Sequence, residues 1–220
     1  MITFTNRPVP EPQNIRLMDS NLPSTSVCKF LGLKLDQQLC FSNHIDVVVR
    51  KTSKLAGILY RIRDFLPLKA RLDFYYALIY PYLSYGVSIW GSTGKSHLEP
   101  LVIQQKRIIR IISGVGSRDH TSPLFYRLKL FKLTDIHKYH LLIQVFEAIS
   151  KGGFTNSHNL NTRNSNLSKP VFQRLSKTQQ YFCFVGPSTW NELPCYLRGI
   201  ESIHQFKKRL KIYLVDQYKG

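Results

Sequence analysis

Acidic residues are what this 220-residue chain has least of: 13 Asp and Glu stand against 31 Lys and Arg. No two acids are adjacent anywhere, and no Tyr-x-Asp-Asp turn is present. Two-metal chemistry needs closely placed carboxylates to hold the ions and stabilise charge on attacking and leaving oxygens, so no catalytic residue is assigned. The four cysteines (Cys28, Cys40, Cys183, Cys195) have no Cys-x-x-Cys spacing and read as reduced thiols of an intracellular protein. No run of 18 apolar residues occurs, and the N-terminal MITFTNRPVPEP lacks the apolar core of a signal peptide. A soluble protein of the nucleus or cytoplasm is expected, with no membrane partner. Gly-x-Ser-x-Gly is absent, and Gly114-Val115-Gly116 and Gly152-Gly153 lack the Lys-Ser/Thr of a phosphate loop, so both read as helix stops.

What the chain does have is positive charge and enough apolar residues to fold. The net charge is +18, with 43% hydrophobic and 12% aromatic residues. Such a charge costs self-repulsion in the compact state and is best relieved by a polyanion. Nucleic acid is therefore the expected partner, ahead of anionic membranes or no partner at all.

The chain changes character along its length. Residues 1–41 read as strands and turns. Three prolines between Arg7 and Pro12 exclude regular pairing there, and a small hairpin is suggested by Ile15 to Leu22. Val27 to Leu35 reads as the strongest strand, with Gly32 permitting a bulge or close backbone approach. Residues 42–151 read as a helical body. Ser42 or Asn43 caps a first helix with Ile45, Val48, Val49, Thr52, Leu55, Ala56, Leu59, Ile62 and Leu66 at helical spacing. A second starts at Pro67 and runs towards Pro81; its Phe74, Tyr75, Tyr76 and Tyr80 read as core rather than as base-stacking rings. Tyr82 to Trp90 fits either a continued helix or a buried extended piece. Further helices fit Ser96 to Ser113, stopped by Gly114, a short turn from Pro123 to Leu130, and Thr134, as N-cap, to Lys151. Residues 152–180, rich in Asn, Ser and Thr, read as a polar linker. Residues 181–220 read as a C-terminal extension ending in a helix from Ser202 to Tyr218.

Basic clusters carry the chemistry. Lys106, Arg107 and Arg110 lie on the third helix, with Lys106 and Arg110 on one face. Arg50, Lys51 and Lys54 repeat the pattern on the first, and Lys207, Lys208, Arg209 and Lys211 form a third patch that also fits a nuclear-localisation signal. A solvated helix face is the competing reading; phosphate tracking is preferred because few acids are available to pair these cations. His137 and His140, at i and i+3, could share a metal, but no Cys or Glu-x-x-His partner accompanies them. They read as surface or phosphate-contacting residues, and no metal site is assigned.

Several segments, in order, resemble the C-terminal part of non-LTR retrotransposon reverse transcriptases of the jockey-like type. FLGLKLDQQLCFSNHI resembles the last palm hairpin, RKTSKLAGILYRIRDFLPLKARLDFYYALIYPYLSYGVSIWG the thumb, and LVIQQKRIIRIISG, SPLFYRLKLFKLTDIHKYH and GPSTWNELP the elements beyond it. The resemblance implies a mainly α fold: a small N-terminal β-hairpin remnant of a polymerase palm, a helical thumb bundle and a C-terminal helical extension. It implies RNA-directed DNA polymerase activity for the family, with Mg²⁺ held by palm aspartates that have no counterpart here, so this chain alone is expected to be inactive and without cofactor. It gives Phe30, Leu31 and Gly32 a primer-grip-like role. Lys34 and the basic helices would then contact a duplex or hybrid. The alternatives are a non-catalytic module that pairs with an intact reverse transcriptase or another protein, and a non-functional relic of a transposable element.

Overall fold

The computed structural model describes Ile2, Phe4, the backbone of 16–17 and 20–21, and residues 24–152 and 182–219. The polar linker expected at 152–180 falls almost wholly outside the described residues. The architecture is mainly α, with two small antiparallel hairpins leading into helices, as the sequence predicts.

The first hairpin pairs β1 (Arg16–Leu17) with β2 (Ser20–Asn21). The second pairs β3 (Val27–Phe30) with β4 (Leu33–Asp36), Phe30 opposite Leu33. The single strand expected from Val27 to Leu35 is thus corrected to two strands with a two-residue turn. Leu31 (φ 45°) and Gly32 (φ 81°) both adopt positive φ, the backbone of a tight turn whose twist matches the flanking strands. Leucine pays roughly 1 kcal/mol for that conformation.

A two-stranded hairpin is marginal alone, and this one is pinned to the helical body. Gly86 (φ 62°) lies against it: a Cβ there would stand 2.9 Å from Leu33 Cδ2. The Tyr85 hydroxyl donates to the Leu31 carbonyl at 2.6 Å, and the Thr93 hydroxyl to the Cys40 carbonyl at 2.8 Å.

Helix α1 (Ser42–Ile62) buries Ile45, Val48, Thr52, Ala56 and Leu59, as its periodicity predicts. Its cap differs. The residue before it is Phe41, in a left-handed conformation, with no side-chain cap. Burying the Phe41 ring (7% exposed) is worth roughly 2 kcal/mol, more than the ~1 kcal/mol of a serine cap. After a short turn at Arg63–Phe65, the chain forms α2 (Leu68–Phe74), a widened π-helical turn at Tyr75–Ile79, and α3 (Tyr80–Ser84). The widening precedes Pro81, which lacks an N–H and whose ring would clash with the Ala77 carbonyl in a regular helix. Tyr82 to Trp90 takes neither expected form: the helix ends at Ser84, Gly86 reverses the chain, and α4 (Val87–Trp90) is a single turn.

Helix α5 (Lys95–Ser113) is central. Leu101, Ile108, Ile109 and Ile112 are fully buried, and left-handed Gly114 ends it. It packs most extensively on α1. Then follow α6 (Ser122–Leu128) and α7 (Leu133–Ser150). Thr134 is not the N-cap of α7, because the helix already begins at Leu133. The cap comes from another element: Gln105 Oε1 accepts from Leu133 N–H at 2.8 Å, while Gln105 Nε2 donates to the Phe131 carbonyl at 2.9 Å. Helices α8 (Phe182–Asn191), α9 (Cys195–Arg198) and α10 (Ile203–Asp216) complete the fold. They join the same core through Phe146, Trp190 and Phe206, with Phe146 and Phe206 stacked at 4.7 Å.

Candidate nucleic-acid interface

The hairpin's attachment to α1 and α3 creates a groove with a cavity volume of about 600 Å³. Lys29 and Lys34 reach it from the hairpin, Lys51 from α1, and Tyr82 and Tyr85 from the end of α3 and the turn after it. No carboxylate lines it. Lys51 Nζ sits 5.0 Å from the centre of the Tyr82 ring, an arrangement that holds an ammonium at an aromatic face without neutralising it. His44 also lines the groove, accepting from Lys34 N–H at Nδ1 over 3.5 Å. Burial, then the charges of Lys51 and Lys34, push its pKa below the ordinary value, so it stands there as a neutral ring with Nε2 carrying the proton.

What this groove offers is cations and flat rings. Tyr85 is 57% exposed and Tyr82 36%. At the hairpin tip Phe30 is 61% and Leu31 74% exposed, while Gly32 borders the groove with Tyr85 3.4 Å from where a Cβ would lie. Phe30, Leu31 and Gly32 therefore form one prominent tip, with two exposed apolar side chains, next to the cationic lining.

The remaining predicted cations are separated. Arg50 and Lys54 are exposed on α1, one residue before Lys51 and three after it. Arg107 and Arg110 line a different cleft of about 380 Å³ with Tyr60 and Arg63; the Arg63 guanidinium lies 4.1 Å from the Tyr60 ring centre, and Arg110 Nε donates to the Asp119 carbonyl at 2.9 Å. Lys106 lines a third cleft with His120 and Lys132. The face shared by Lys106 and Arg110 thus opens onto two clefts. Lys208 belongs to a cleft between α6 and α10, where Arg209 is exposed and Lys207 half-buried nearby on α10.

Among the described residues there are two ion pairs, Arg63–Asp64 and Lys138–Glu192. None of the candidate cations takes part in either, so their charge is available to a polyanion.

Two expectations are corrected. His137 and His140 are not surface residues: both are largely buried, and both Nε2 atoms lack a partner. Burial pushes the pKa of His137 down to about 4 and that of His140 below its ordinary value. Of the aromatics on the second helix, Tyr75 is fully buried but Tyr76 is 42% exposed. Sequence reasoning missed Lys29, Tyr82 and Tyr85; the YLSYG spacing places the two tyrosines three apart, a signal that becomes legible only once the helix end is known.

The implied Mg²⁺ finds no fit here. Among the described residues no group of three or more His, Cys, Asp or Glu side chains could hold a metal ion. No described helix is long and apolar enough to cross a membrane.

Comparison with known proteins supports the resemblance read from the sequence. The chain is 32% identical over 137 residues to the RNA-directed DNA polymerase from mobile element jockey of Drosophila melanogaster, across 61% of this chain and 15% of that protein. It is 30% identical over 127 residues to the probable RNA-directed DNA polymerase from transposon X-element of the same species, across 56% of this chain and 14% of that protein. The probable RNA-directed DNA polymerase from transposon BS matches at 31% over 113 residues, half of this chain and 12% of that protein. The chain thus spans about one-seventh of the length of these curated relatives. No family model and no solved structure matches it.

Proposed function

We propose that this chain is a fragment of a retrotransposon RNA-directed DNA polymerase that holds duplex or hybrid nucleic acid through its backbone without itself carrying out synthesis. The relatives are polymerases by name, and the chain's acids are scattered singly, so the metal-binding aspartates of such an enzyme would lie outside these residues. The observation that carries the reading is the groove between the hairpin, α1 and α3, with Lys29, Lys34 and Lys51 beside Tyr82 and Tyr85 and no carboxylate on its lining. Ammonium groups would track phosphates independently of sequence, and the exposed tyrosines would stack on unpaired bases at a strand end.

Fluorescence anisotropy with an RNA–DNA hybrid at graded salt tests it. Wild-type affinity should fall steeply with salt. The Lys34→Glu, Lys51→Glu double variant should bind at least tenfold more weakly, with the slope of log K against log salt reduced by about 2. Lys106→Glu with Arg110→Glu should flatten the slope less if those cations sit at the margin of the footprint. Absence of binding at low salt would sink the proposal.

A second reading draws on the apolar tip. Phe30 and Leu31 would seat against an intact polymerase or another protein. Light scattering decides this for self-association: a monodisperse monomer, unchanged in Phe30→Ser with Leu31→Ser, argues against it.

A further inference from the structure

The cleft between α6 and α10 has a volume of about 610 Å³. Its apolar lining is Tyr126, Ile212 and Val215, and four cations, Arg127, Lys129, Lys208 and Lys211, outnumber its one carboxylate, Asp216. Among the described residues none of the four has an ion-pair partner or a side-chain hydrogen bond. Ile212 is left 54% exposed in their midst. Lys129 reaches the cleft from a left-handed backbone position (φ 53°) that closes α6, where glycine or asparagine would sit with less strain.

We propose that this cleft binds an acidic amphipathic segment of a partner protein. The chemistry has two parts, and one occupant satisfies both. Carboxylates on the flanks of such a segment would face the four cations, while its apolar side chains would cover Ile212, Val215 and Tyr126. A nucleic-acid strand satisfies only the first. Its phosphates stay hydrated and gain nothing from aliphatic surface, and base stacking needs flat exposed rings, whereas the lining's one ring, Tyr126, is half-buried against the core. Along α10 the lining runs from Lys208 to Asp216, about 12 Å or a little over two helical turns, which suits a short facing helix. The chain's own residues 153–181 carry no Asp or Glu, so they lack the charge to fill the cleft. The cleft is separate from the hairpin groove and shares no lining residue with it, so the two proposals stand or fall independently.

The probe is a fluorescein-labelled peptide of about 14 residues with leucines at i, i+4 spacing and glutamates on both flanks. Its scrambled isomer, with leucines spread around the helix, is the comparator. Anisotropy with the full chain should show the patterned peptide binding at least tenfold tighter than the scramble. Lys208→Glu with Lys211→Glu, and separately Ile212→Ser, should each weaken it about tenfold, whereas Lys34→Glu with Lys51→Glu should leave it unchanged. All of these positions but Lys34 are exposed, and an unaltered thermal transition confirms that each variant folds. Equal affinity for the scramble, or no effect of Ile212→Ser, would reduce the cleft to a plain cationic field and overturn the proposal. So would a single-stranded RNA that protects an Ile212→Cys thiol from maleimide, located by mass mapping, at lower concentration than the patterned peptide does.

Discussion

The start of α7 and the groove beneath the hairpin treat polar groups in opposite ways. At α7, Gln105 answers Leu133 N–H and the Phe131 carbonyl, and its amide also donates to the Tyr75 hydroxyl at 3.3 Å. The Tyr218 hydroxyl donates to the Asp135 carboxylate and accepts from Lys132 N–H at 3.1 Å, while Lys132 Nζ lies 4.3 Å from the Tyr218 ring centre. Every group named there has a partner, and Gln105 is nearly wholly buried. In the groove, Lys29, Lys34 and Lys51 face open space with no acid among them. Satisfied polar groups in the interior specify the fold; cations gathered without counterions cost stability and are explained by what they meet from outside.

That contrast can be broken from either side. Gln105→Leu should have the largest effect, because it strands the Leu133 N–H and the Phe131 carbonyl in the interior; a loss of about 4 kcal/mol is expected from urea denaturation, with the salt slope of nucleic-acid binding unchanged. Gly86→Ala comes next. It adds a Cβ 2.9 Å from Leu33 at a positive φ, and about 2–3 kcal/mol should be lost. Because it also loosens the hairpin from α3, affinity for an RNA–DNA hybrid should fall with it, unlike in Gln105→Leu. If binding survives Gly86→Ala intact, the groove is not what holds the ligand.

Acidification sharpens the comparison without mutation. In the fold His137 is neutral, its pKa pushed by burial from 6.5 down to about 4. The unfolded chain takes up a proton as pH drops through 6.5 and the fold does not, so stability should decline from about pH 6.5 to about pH 4 and level off below. About 3 kcal/mol is at stake, and His137→Gln should flatten that part of the profile. Smallest of all should be the stability change in Lys34→Glu with Lys51→Glu, within about 0.5 kcal/mol, against a large loss of binding.

The helices were legible because each carries one apolar stripe. Ile45, Val48, Thr52, Ala56 and Leu59 announce α1, and Leu101, Ile108, Ile109 and Ile112 announce α5, where Gly114 also marks the end. Helix starts were not legible. Ser42 and Thr134 have the right side chains for caps, but the buried Phe41 ring and the Gln105 side chain from another helix took those places. Nor was the turn at Leu31-Gly32, since an apolar residue at positive φ reads as strand until the Tyr85 hydroxyl is seen to hold its carbonyl. The candidate site was legible as a charge excess and not as a place.

Composition and periodicity alone determined that this chain is helical, strongly basic and without paired carboxylates, because those properties are sums over residues or repeats along a single element. Which cations act together was decided only by tertiary structure. Lys34 and Lys51 share a groove because β4 packs on α1 with Leu33 against Gly86, while Lys106 and Arg110, neighbours on one helix, open onto different clefts. Charges along a helix follow its period, but a groove needs a second element to form its other wall, and that is set by packing.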